Sequence, residues 1–129
     1  MSTPSRNSQI GEPTWEIASL YPMQGSWSEE DYLRLDAGRL VEFDNGKLEV
    51  LEMPTELHQA IVFFICLQIR NFVAQSEDQR GVCLMAPLRV KLWEGKFCEP
   101  DVLFMLEKNR DRRTSRYWNG ADIVFEVIQ

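Results

Sequence analysis

Apolar and polar residues alternate through two short runs, 40–44 (LVEFD) and 47–51 (KLEVL), and the pair Asn45-Gly46 joins them, a pattern that predicts a β-hairpin with a two-residue turn. In that register Val41 and Phe43 oppose Val50 and Leu48 on one face, while Glu42 meets Glu49 on the other. Upstream, Ser28 followed by Glu29, Glu30 and Asp31 reads as a capped helix start, with Trp27 placed to staple against Tyr32 and the helix ending near 37–38. Downstream, Thr55 opens a helix that runs to about Val73 and is apolar without a break over 60–67. So much apolar surface predicts contacts on more than one side of this helix, a sheet on one and a partner subunit on the other. Strands are expected over 82–86 and 88–93, then, after a turn at 94–96, in a run carrying Asp101, and finally over 123–128. The predicted fold class is α/β (α+β): a mixed sheet with a hairpin and a core helix packed on it, in one domain over 15–129 behind a loose polar tail at 1–14.

Two acids interrupt the hydrophobic pattern. Asp101 follows Glu99-Pro100, and Glu126 sits within Ile123-Val124-Phe125-Glu126-Val127-Ile128. Alternation puts Val102, Phe104 and Leu106 away from Asp101, and it puts Ile123, Phe125 and Val127 on a wholly apolar face opposite Glu126. The last strand therefore reads as covered on both sides, with both acids facing one cleft. A charged carboxylate without a partner costs several kcal/mol on roughly such a site, so a shared cation is the expectation, against the plainer reading of Asp101 as a solvent-facing strand end. Glu42 is a third candidate acid, although two solvated glutamates on the wet side of a hairpin are the commoner explanation of such a pair. His58, the one histidine, lies in the first turn of the long helix, where a packed neutral ring is the default.

Composition narrows the class. A chain of 129 residues with 44% hydrophobic content supports one domain with a real core. The net charge of −6 disfavours a protein that coats nucleic acid through bulk electrostatics, yet leaves room for a local basic patch. Such a patch exists between the two acids: Lys108, Arg110, Arg112, Arg113 and Arg116, followed by Tyr117-Trp118. A solvated loop is the commoner meaning of a charge run, and only the position of this one raises phosphate binding. The cysteines Cys66, Cys83 and Cys98 form no Cys-x-x-Cys pair and leave one unpaired in any disulfide scheme, which suggests reduced thiols and a cytoplasmic location. Residues 1–14 lack the apolar stretch of a signal peptide, and the long helix turns polar at Gln68, Arg70 and Asn71, short of a membrane span.

Taken in order, Ser28-x-x-x-Tyr32, the Val41-Glu42-Phe43-Asp44-x-Gly46-x-Leu48 hairpin, His58 at the start of an apolar helix, Pro100-Asp101-Val102 and Val124-Phe125-Glu126-Val127-Ile128 resemble the Uma-two branch of the PD-(D/E)XK nuclease superfamily. The resemblance covers about 27–129. It implies a restriction-endonuclease-like fold, Asp101 and Glu126 as ligands of Mg²⁺ or Mn²⁺, and Glu42 and His58 as further positions of the pattern. It implies DNA as the partner and hydrolysis of phosphodiester bonds as the reaction.

The chain departs from the superfamily pattern in one respect. Two residues after the glutamate stands Ile128 where a lysine is usual, and Gln129 stands where the branch tends to have serine. Lys91 and Lys96, near the strand of Asp101, are the candidate substitutes. A strand at the very end without a covering element also predicts a further segment, so the domain reads as incomplete after the last strand. Three functions follow as expectations: a metal-dependent endonuclease, a non-catalytic nucleic-acid- or protein-binding module on the same fold, or a structural homodimer formed through the apolar helix or the sheet.

Overall fold

In the computed structural model the described residues are 21–36, 38–78 and 80–128, so the expected tail at 1–14 lies outside them. Helix α1 (Glu29–Arg34) begins with a reciprocal capping box: the Asp31 amide donates to Ser28 Oγ and the Ser28 amide to the Asp31 carboxylate. It ends earlier than the sequence suggests, because Leu35 is already extended. The hairpin of β1 (Val41–Asp44) and β2 (Lys47–Val50) has the predicted register, Val41 with Val50, Glu42 with Glu49 and Phe43 with Leu48. Its turn holds Asn45 at φ 46° and Gly46 at φ 85°, two successive positive values that an Asn-Gly pair tolerates best. Helix α2 (Glu56–Ala74) is capped by Thr55, whose hydroxyl accepts from the His58 amide at 3.1 Å.

The remaining strands are β3 (Gly81–Met85), β4 (Val90–Trp93), β5 (Lys96–Cys98), β6 (Val102–Leu106), β7 (Trp118–Asn119) and β8 (Ile123–Phe125). They form two sheets, one of order β2-β1-β5-β4-β7 and one of order β3-β6-β8. All pairings are antiparallel except that of β4 with β7. The expected single run carrying Asp101 is thus divided: β5 belongs to the first sheet, β6 to the second, and Glu99-Pro100-Asp101 carries the chain between them. Pro100 explains the break locally, since it offers no N–H to continue a ladder. The basic run opens as a 3-10 helix, Glu107–Arg112, and not as an irregular loop.

The core divides in the same way. Tyr32, Val41, Phe43 and Phe97 pack between α1 and the first sheet; Val90, Leu103, Met105 and Trp118 fill the space between the sheets; Val62 and Cys66 of α2 pack on Cys83, Val102 and Phe104. Strand β6 is buried on both faces, Leu103 and Met105 toward the first sheet and Val102 and Phe104 toward α2. Its purely apolar sequence, VLFML, is what such a position requires.

On the sheet side helix α2 packs as expected. Leu57 and Phe64 are exposed away from the sheet, and Phe63 and Phe72 are exposed on the flanks of the helix. Its length and hydropathy alone would also satisfy a membrane span, but its inner face is packed against the three-stranded sheet as in a core helix.

Candidate functional site

The site assembles where the chain changes sheets. Asp101 is buried, 8% exposed, and one carboxylate oxygen, Oδ2, takes two contacts: it accepts from the Val127 amide at 2.7 Å and lies 3.2 Å from His58 Nε2. Alternation along β6 would send this side chain away from α2. Because Asp101 precedes the strand, at the bend after Pro100, it turns instead to the helix side that Val102 and Phe104 also face. His58 is 9% exposed and presents Nε2 to Asp101, while its other nitrogen, Nδ1, is buried with no partner. A neutral ring carrying its proton on Nε2 donates to Asp101 and leaves Nδ1 as an unpaired acceptor.

Glu126 corrects the expectation of a strand covered on both sides. Strand β8 lies at the edge of its sheet and is only three residues long; Glu126 falls just past its end and is exposed, as are Ile123 and Val124. The reason is that β8 pairs with β6 alone and sends only Phe125 and Val127 into the helix-side core. The Glu126 carboxyl nonetheless points back toward Asp101. Partial desolvation first, then the negative charges of Asp101 and Glu42, raise its pKa to about 7.

Glu42 therefore stands within electrostatic reach, although its own carboxylate is anchored elsewhere, accepting from the Glu99 amide at 2.9 Å. Cys98 lies in the same neighbourhood: burial, followed by the charges of Glu42 and Glu126, lifts its thiol to about 11. Glu99, which the sequence marks only as a neighbour of Asp101, is buried and accepts from the Val41 amide at 2.6 Å. Burial raises its carboxyl above the usual range against the lowering effect of that bond and of Arg89. These bonds from Glu42 and Glu99 tie the crossing segment to β1, which fixes where Asp101 begins.

A cavity of about 650 Å³ opens over His58, Asp101 and Glu126, with Leu40, Pro54, Val62 and Pro87 among its walls. Its mixture of apolar walls and a few convergent polar groups is that of a ligand site. No group of three His, Cys, Asp or Glu side chains among the described residues is arranged to hold a metal ion. Neither candidate lysine borders the cavity: Lys91 Nζ is 2.9 Å from both Glu29 and Glu94, and Lys96 Nζ is 3.8 Å from Asp44.

Of the basic candidates, four are remote from the acids. The 3-10 helix leaves the far end of β6, and five extended residues span about 17 Å. There Arg110 and Arg113 pair with Glu107 at 3.2 and 3.6 Å, while Lys108 and Arg112 lie near Asp122 and help hold its carboxyl below the usual range, behind the larger effects of Asn109 and the Leu106 amide. Arg116 is different. It pairs with Glu30 at 3.1 Å and borders a second cavity that adjoins the first.

A hairpin, a core helix on a mixed sheet, and an Asp-Glu pair presented at one cleft together define a PD-(D/E)XK-like α/β protein. The family model of Uma2, described as putative restriction endonuclease, matches residues 29–129, and the chain belongs to that family. No curated protein matches the chain.

Proposed function

We propose that the protein is a metal-dependent endonuclease, with Asp101 and Glu126 as the seat of Mg²⁺ or Mn²⁺ and a nucleic-acid phosphodiester as substrate. The observation that carries this reading is the pairing of two carboxylates over one cavity, close enough for Asp101 to raise the proton affinity of Glu126. The donor set fits a hard cation. Mg²⁺ is commonly held by one or two carboxylates, with waters and substrate phosphate filling its other positions, so a third protein ligand is not required. When bound there, the ion would supply an activated water and positive charge against the developing phosphorane.

The chain's own residues do the rest. His58 and the Val127 amide hold Asp101 Oδ2 from two directions, which fixes the carboxylate without closing off its second oxygen to other contacts. Leu40, Val62 and Pro87 give the cavity apolar walls beside the acids. Isothermal titration with Mn²⁺ and nicking of supercoiled plasmid test the reading together. Wild type is expected to bind and nick, whereas Asp101→Ala and Glu126→Ala do neither; unchanged activity in both variants would overturn it.

One observation favours a second reading, that of a non-catalytic nucleic-acid-binding module. Ile128 stands where the superfamily's lysine belongs, and no lysine borders the cavity among the described residues. On this reading Mn²⁺ and DNA bind without cleavage. Ile128 is 88% exposed, so Ile128→Lys can be introduced with little cost to folding, and the gain of nicking in that variant alone would identify the missing group.

A further inference from the structure

The cavity above the acids does not stand alone. A second, of about 550 Å³, adjoins it, and Leu40, Leu51, Glu52, Pro54 and Pro87 border both. Where the first presents Asp101 and Glu126, the second presents Arg39, Arg89 and Arg116. Arg89 is fixed in place: its guanidinium donates to the Leu33 and Leu35 carbonyls at 2.8 Å each and lies 4.5 Å from the centre of the Tyr32 ring. Arg39 and Arg116 are exposed at the rim, the first donating to the Leu51 carbonyl and the second paired with Glu30, which Arg34 also contacts. Asp36, Glu52 and Glu99 border this cavity too; Glu99 is buried and already engaged by the Val41 amide, which leaves the rim acids Asp36 and Glu52 facing the rim cations.

We infer that this second cavity is the backbone-binding extension of the acid site, in which Arg39 and Arg116 contact the nucleic-acid phosphates that flank the one held at Asp101 and Glu126. The inference rests on the nuclease reading and sharpens it, because it divides the basic residues into two sets. Arg116 belongs to the track, joined by Arg39 from the start of the hairpin. Lys108, Arg110, Arg112 and Arg113 do not, since they lie around the other end of β6 and border neither cavity. Guanidinium groups suit the task, as their planar fork meets a phosphate through two parallel N–H donors. Contacts of this kind set position and affinity, with no reading of sequence.

Fluorescence anisotropy with a labelled DNA duplex of about 20 base pairs, measured over a series of salt concentrations, tests this. Each lost phosphate contact lowers the slope of log K against log salt by about 0.9. The double variant Arg39→Gln/Arg116→Gln is expected to bind at least roughly tenfold more weakly with a slope reduced by about 1 to 2, while Lys108→Gln/Arg110→Gln matches wild type. Glutamine keeps an amide donor for the Leu51 carbonyl, and Arg116→Gln alone, at an exposed position, gives a smaller change of the same sign. If wild type binds duplex and the loop variant is the weakened one, the track is wrong and the nucleic-acid reading stands. If wild type shows no salt-sensitive binding, both fall.

Discussion

The two sheets meet at Glu99-Pro100-Asp101 but bury their residues in different ways. In the five-stranded sheet, α1 closes over an aromatic cluster in which Tyr32 and Phe97 are fully buried, the Tyr32 hydroxyl donates to the Val41 carbonyl at 2.6 Å, and Arg89 lies over the ring. In the three-stranded sheet, α2 covers one face, yet Phe72 on its flank is 61% exposed and the edge strand β8 shows Ile123 and Val124. Asp101 is held between the two, hydrogen-bonded to α2 and to the segment just after β8 on one side and covalently continuous with β5 on the other. The well-packed half thus sets the position of the crossing segment, and the open half supplies the acids and His58 that face the cavity.

The largest effect expected from breaking this asymmetry is Tyr32→Ala, which empties the centre of the first cluster and should cost about 3–5 kcal/mol in urea denaturation. Val62→Ala, under α2, should cost less, about 1–2 kcal/mol, because the helix can settle onto β3 and β6 from an unconfined side. If the two costs came out equal, the contrast between the halves would fail. Tyr32→Phe isolates the hydrogen bond to Val41 and should cost about 1 kcal/mol. Phe72→Ser should fall within about 0.5 kcal/mol for a monomer. A clearly larger loss, with a change of mass in light scattering, would show that a second copy covers that face.

Glu126 gives a small effect and a signed one. Its folded pKa of about 7 lies above the ordinary glutamate value of 4.5, so the folded state keeps a proton that the unfolded state releases between those values. Its contribution to stability therefore falls as pH rises from 4.5 to 7 and stays reduced above that. Glu126→Gln should leave stability unchanged near pH 4 and raise it near pH 8 in metal-free buffer, by under about 1 kcal/mol because the residue is partly open to screening water. Asp101→Asn should bring the Glu126 titration, followed by carboxyl NMR shifts, back toward the ordinary range.

Local signals were legible where short-range chemistry decides the structure. Asn45-Gly46 gave the hairpin and its register, Ser28 and Thr55 gave both helix starts, and the order of hairpin, helix and strands follows from them. Long-range pairing left no such mark: nothing in Lys96–Cys98 announces that it pairs with β1, and two-residue β7 is defined only by its neighbour β4. For the site, the two acids were legible as residues out of keeping with their surroundings, whereas His58 read as an ordinary packed ring and entered only through the family resemblance. The exposure of Glu126 was not, because an edge position depends on which strands are present beside it. Arg39 was missed entirely, since an isolated arginine before a strand carries no signal until the fold brings Leu51 and Pro87 next to it.

The bond from the Val127 amide to Asp101 has a practical consequence. That single proton is protected only while the end of the edge strand stays docked on the carboxylate. Its hydrogen–deuterium exchange rate is accordingly a gauge of the acid site built into the backbone, and it would respond to any cation that draws Asp101 away from the amide.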